Sequence, residues 1–217
     1  MSRLLHFLLT TLCVLYAGSG MTSMQHDKVT TPAEIRHFFE QQNKTVLTFV
    51  GYSGAGYQDP EAMIRIAASV LNGFDPANTI VNIGATLQGI GAVYELAKKR
   101  GFITTGIVST QARQHAVELS PHVDQVFFVE DETWGGINKA SGQLSPTSTA
   151  MVENSDIMIA IGGGSVGRDE MLAAKHLNKE VRYFPADMNH SRAIEKAKKK
   201  GLPVPTNFSG AVSEALQ

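Results

Sequence analysis

The segment Ile157-Met158-Ile159-Ala160-Ile161 runs directly into Gly162-Gly163-Gly164-Ser165-Val166-Gly167-Arg168-Asp169-Glu170, and no other stretch narrows the fold as far. A short apolar run closed by glycines reads as a buried strand entering a tight loop. The residues from Asp169 to His176 then read as a helix. Strand, glycine loop and helix N-terminus in that order make an anion site, because unpaired backbone N–H groups and the helix dipole converge there. Glycine lets the backbone approach a phosphate closely, where a Cβ would intrude. The expected ligand is a phosphorylated small molecule, foremost a nucleotide.

The same alternation extends along the chain. Thr31-Pro32 supplies a cap and a first-turn proline for a helix over 31–42. A strand at Val46–Val50 ends in Gly51-Tyr52-Ser53-Gly54, and Asp59-Pro60 starts a second helix. Thr79–Ile83 is a strand ending at Gly84, followed by a helix from Leu87 to Arg100 that contains Gly89 and Gly91. Strands at Phe102–Val108 and Gln125–Val129 flank a helix over Gln111–Leu119. Residues 131–149 are polar, hold the only tryptophan, Trp134, and read as a long loop over a site. Later elements are a helix at Ser148–Asn154, a strand at Val181–Phe184, a helix at His190–Lys200 and a short last helix. Strands alternating with helices predict an α/β, Rossmann-like parallel sheet flanked by helices on both faces, as one domain over 31–217. Three glycine clusters then fall at strand C-termini, where ligands of such sheets bind.

Charge and targeting signals bound the function. A formal net charge of −1 gives no broad electrostatic footprint for nucleic acid. The Lys196–Lys200 run reads as a solvated helix face. Of seven histidines none is paired at metal-ligand spacing, so no metal and no resident cofactor is expected. Arg3, the apolar run Leu4–Ala17 and Ala17-Gly18-Ser19-Gly20 read as a cleaved secretory signal over 1–20. Its removal leaves no cysteine and no membrane anchor, and places the protein in the periplasm or outside the cell. The alternative is a cytoplasmic protein that starts at Met21 or Met24.

Two literal motif matches weaken on inspection. Gly162-x-Gly164-x-x-Gly167 fits the dinucleotide fingerprint, with Asp187 about twenty residues on. That fingerprint belongs on the first βα unit, and here only one strand and two helices follow. An NAD-dependent oxidoreductase stays as the lesser alternative. Gly51-Tyr52-Ser53-Gly54-Ala55 resembles a nucleophile elbow up to Ala55, which stands where glycine is required.

Taken together, Val46–Gly56, Ile80–Gly84 with Gly89-Ile90-Gly91-Ala92-Val93, and Asp156–Glu170 resemble the SLOG superfamily, which includes the Lonely-Guy-type, lysine-decarboxylase-like phosphoribohydrolases. The resemblance spans about residues 45–186. It implies a homodimer that binds a nucleotide, with Glu170 as catalytic carboxylate. The implied ligand-binding set is Gly51, Ser53, Gly54, Gly84, Gly89, Gly91, Gly163, Gly164, Ser165, Val166, Gly167 and Arg168. The implied reaction is hydrolysis of the N-glycosidic bond of a nucleoside 5′-monophosphate. Three departures bear on it. Gly162 stands where the family has proline, and Val166-Gly167 stand for its Gly-Thr pair. The segment Ser145-Pro146-Thr147-Ser148-Thr149-Ala150-Met151 keeps the family's methionine but has no arginine or lysine. A non-catalytic nucleotide sensor or carrier is therefore the alternative to a hydrolase.

Overall fold

A computed structural model describes residues 28–216. The proposed signal segment 1–20 and the alternative starts at Met21 and Met24 lie outside the described residues. Helix α1 (Pro32–Gln42) opens on a capping box, in which the Thr31 hydroxyl accepts the Glu34 N–H and the Glu34 carboxylate accepts the Thr31 N–H. The chain then alternates β1 (Thr45–Gly51), α2 (Pro60–Leu71), β2 (Thr79–Ile83), α3 (Ala92–Lys99), β3 (Ile103–Ser109) and a single turn α4 (Gln111–Gln114). It continues with β4 (Gln125–Val129), α5 (Pro146–Glu153), β5 (Ile157–Ile161), α6 (Ser165–His176), β6 (Glu180–Phe184), α7 (His190–Lys199) and α8 (Gly210–Leu216).

The six strands form one sheet in the order β4-β3-β2-β1-β5-β6, and every pairing is parallel. From β1 the chain builds outward through β2 to β4, then returns to place β5 on the other side of β1. Strand order therefore reverses at the β1–β5 boundary, which is where an open α/β sheet leaves a crevice. The observed fold is the Rossmann-like α/β architecture expected from the alternation.

The two-residue period of the strands sorts their side chains into two cores. Leu47, Phe49, Val81, Ile83, Ile159 and Ile161 pack with Met63, Ala67, Val93 and Tyr94 of α2 and α3. Val46, Val50, Ile80, Met158 and Ala160 pack on the opposite face with Ile35, Met151, Met171 and Val212. Burial on both faces explains why the central strands are nearly continuous apolar runs. Asn82, in the middle of the sheet on β2, is fully buried and fully engaged. Its amide donates to Thr48 Oγ1 at 3.2 Å and its carbonyl accepts the Thr105 hydroxyl at 3.0 Å, which ties β1, β2 and β3 together.

Three helices differ from their sequence expectations. Helix α6 starts at Ser165, four residues before the expected Asp169, because Gly162 and Gly163 take φ of 56° and 130° and complete the turn early. The helix expected over Gln111–Leu119 stops after one turn, where Ala116 adopts φ 48°. The helix expected from Leu87 begins as a 3₁₀ turn at Gly89–Gly91, since Gly89 has φ 63°.

Candidate functional site

All strands being parallel, the loops after β1, β2, β3 and β5 open on one edge of the sheet. They enclose a cleft of about 560 Å³. Its floor is Phe49–Gly51 of β1, Ile83 of β2 with Gly84 just after it, and Ile107–Ser109 of β3. One wall is Val166, Gly167 and Glu170 of α6 with Thr147 and Met151 of α5, and Trp134 closes the rim. A second cleft of about 830 Å³ adjoins it, sharing Gly51, Ser53, Gly54, Val166 and Gly167. Its far wall is the face of α7 that carries Arg192, Glu195, Lys196 and Lys199, with Lys200 just beyond the helix.

The glycine loop presents the N-terminus of α6 to both clefts. Ser165, Val166 and Gly167 are its first three residues, whose N–H groups have no acceptor within the helix. Gly164 at the N-cap brings no side chain to satisfy them. Arg192 is steered to this place by a 3.0 Å bond from Nη1 to the Gly54 carbonyl. Lys199 pairs with Glu195 at 2.9 Å on the exposed surface of the helix.

Glu170 is buried where α6 meets α5. The Ser148 hydroxyl donates to Glu170 Oε1 at 2.6 Å and itself accepts the Gly136 N–H at 2.7 Å. Burial pushes the Glu170 carboxyl up to about 7; the Ser148 bond pulls it down, and neighbouring Asp169 adds to the rise. The carboxyl therefore exchanges its proton near neutrality. Asp131, also buried, behaves in the opposite way. Burial opposes its ionisation, but N–H bonds from Thr147 at 2.9 Å and Thr133 at 2.8 Å outweigh this and hold it below the usual carboxylate range. The Thr147 hydroxyl favours the charged Asp131 as well, yet it is buried in the cleft wall without a hydrogen bond of ordinary geometry.

The structure brings Gly51, Ser53, Gly54, Gly84, Val166, Gly167 and Glu170 together around the main cleft. Gly164 and Ser165 line the second. Gly89, Gly91, Gly163 and Arg168 are placed otherwise. A Cβ on Gly89 would sit 2.0 Å from the Tyr52 carbonyl oxygen, and one on Gly91 would sit 1.9 Å from that of Thr86. Those two glycines allow backbone segments to pass under the cleft. Gly163 packs against Val212. Arg168 lies outside both linings; its Nε and Nη2 clasp Asp169 Oδ1 at 2.9 and 2.8 Å, while Asp169 Oδ2 accepts the Ile137 N–H. The pair anchors the 131–149 loop to α6.

Several site residues were missed from sequence. Thr147 and Ser148 lie in the segment read for a helix start and a missing arginine, with no role given to either side chain. The basic stripe was read as a solvated face, and Arg192, Lys196, Lys199 and Lys200 are indeed exposed; what that reading lacked is that they also border the second cleft. Among the described residues no three His, Cys, Asp or Glu side chains are grouped to hold a metal ion. Among the same residues, no lysine or arginine lines the main cleft.

No protein-family model matches the chain, and no curated protein sequence does. Among solved structures, the chain is similar to the structural-genomics target TM1055 at 18% identity, over 63% of this chain and 72% of that one, with a TM-score of 0.48. It is also similar to the molybdenum cofactor carrier protein of Chlamydomonas reinhardtii, at 17% identity over 64% and 76% of the two chains, with a TM-score of 0.47. A third similar structure is the molybdenum cofactor binding protein of Rippkaea orientalis, at 21% identity over 64% and 76%, with a TM-score of 0.46.

Proposed function

We propose that this chain is a SLOG-type protein that binds a nucleoside 5′-monophosphate, or a closely related phosphorylated small molecule, across the β1–β5 crevice. The uncapped N-terminus of α6 carries this reading, since it faces the cations of α7 across one cleft and borders the main cleft of about 560 Å³ on the other side. Phosphate rests on the N–H groups of Ser165, Val166 and Gly167, with Arg192 and Lys196 opposite. The sugar lies toward Glu170, and Gly51–Gly54 with Gly84 line the remaining wall. A homodimer follows from the SLOG resemblance, and a periplasmic or secreted location from the signal-like segment 1–20.

The main cleft has no cation among the described residues to orient a reacting group, so binding without turnover is the primary reading, as in a sensor or carrier. One observation favours a second reading, hydrolysis of the N-glycosidic bond. A carboxyl that titrates near 7 at the cleft wall is poised to give a proton to a departing base.

Calorimetric titration of the full chain tests the first reading, with nucleoside monophosphates, ribose 5-phosphate, inorganic phosphate, NAD and the molybdenum cofactor as ligands. Saturable heat with a monophosphate supports it, and a folded protein that binds none of them overturns it. Release of free base from a bound monophosphate, abolished in Glu170→Gln with binding intact, would establish the hydrolase. Binding without release leaves the sensor or carrier.

A further inference from the structure

We propose that the mouth of the main cleft holds a planar heteroaromatic ring stacked on Trp134, so that the ligand is a ring-bearing phosphate rather than a sugar phosphate or a bare anion. This rests on the reading that the cleft takes a phosphorylated small molecule. Single exposed apolar side chains need no explanation, but converging ones do. Leu87, Val117 and Trp134, exposed by 37%, 44% and 52%, come from three separate segments and meet at this one opening.

Trp134 is also held in place. The Asp131 carboxylate accepts the Thr133 N–H and hydroxyl, both at 2.8 Å, just before it. The Gly136 N–H is fixed on Ser148 Oγ just after it. The indole is steadied by His115, with ring centroids 5.6 Å apart and planes 31° from parallel. An aromatic surface fixed beforehand loses little freedom when a second ring stacks on it.

Trp134 is the only tryptophan in the chain, so its emission reports this site alone. The full chain is titrated with adenosine 5′-monophosphate and with ribose 5-phosphate, following heat and tryptophan emission together. The monophosphate is expected to bind and quench the emission. Ribose 5-phosphate is expected to bind at least about fivefold more weakly and leave the emission unchanged. Trp134→Ala should weaken the monophosphate by about fivefold or more without altering ribose 5-phosphate, and Trp134→Phe should restore most of the affinity. Monophosphate heat with unchanged emission, and with Trp134→Ala binding as tightly as the native chain, overturns the stacking while the phosphate reading stands. Equal affinity for the two ligands overturns it as well. No heat from either ligand overturns both.

Discussion

Ser148 and Glu170 share a 2.6 Å hydrogen bond in which the Ser148 hydroxyl donates to Oε1. The same hydroxyl accepts the Gly136 N–H, so one oxygen joins the 131–149 loop, α5 and the cleft carboxyl. Loop position and the proton affinity of Glu170 are therefore coupled. Ser148→Ala removes a bond that favours the charged form, and the Glu170 pKa should move above its value of about 7 in the native chain. Titration of the Glu170 side-chain carbonyl signal by NMR reads this directly, and an unchanged or lowered pKa contradicts it.

The raised pKa also makes a stability prediction. The ordinary carboxyl value is 4.5 and the folded value about 7. Between these two pH values the unfolded chain has released a proton that the folded chain still holds. Stability therefore falls as pH rises through this window and levels off above it. Glu170→Gln has nothing to titrate there. Near pH 4 it should match the native chain, and at pH 8 it should be more stable by up to roughly 3 kcal/mol. Denaturant midpoints across pH check this, and parallel profiles for the two proteins would contradict it.

The glycines divide into those the backbone needs and those with open space beside them. Gly91→Ala forces a Cβ to 1.9 Å from a backbone oxygen and should cost about 1–3 kcal/mol or more. Gly54 lines both clefts, and a Cβ there meets nothing within 4 Å. Gly54→Ala should change stability by no more than about 0.5 kcal/mol. Thermal unfolding of the two variants separates the classes, and equal losses would contradict the division.

Tyr94 ties the cleft floor to the sheet. Its buried hydroxyl accepts the Ala85 N–H at 3.0 Å and donates to the Thr105 carbonyl at 2.8 Å. Ala85, just after Gly84, is held at φ 54°, a region costly for a side chain. Tyr94→Phe leaves that N–H buried and unpaired, and should destabilise the protein by about 1–3 kcal/mol. Denaturant unfolding checks this, and a neutral change would mean that the turn relaxes without the hydroxyl.

Much of this architecture could be read from the chain because its signals are local. The β5 strand and its glycines are contiguous, and apolar runs mark β1 and β2. The start of α6 was not legible. Ser165, Val166 and Gly167 are weak helix formers, and a glycine N-cap supplies no side-chain oxygen to announce the end. The Glu170 partner was hidden for a different reason: Ser148 is 22 residues away and meets it only through the packing of α5 on α6. The basic stripe of α7 is visible as a helical face, but only the return from β6 decides that this exposed face borders the same cleft as the glycine loop.

Gly164→Asp tests the central claim most directly. The N-cap lacks a side-chain bond, a Cβ there meets nothing within 4 Å, and its backbone is extended at φ −88°. Aspartate caps a helix at least as well as glycine, so thermal stability should hold or rise slightly. Its carboxylate would occupy the site assigned to phosphate. Calorimetry with a nucleoside monophosphate should show binding to the native chain and at least about a tenfold loss in Gly164→Asp, or about 1.4 kcal/mol. A stable Gly164→Asp protein that binds the monophosphate as tightly as the native chain would place the anion elsewhere and contradict the account.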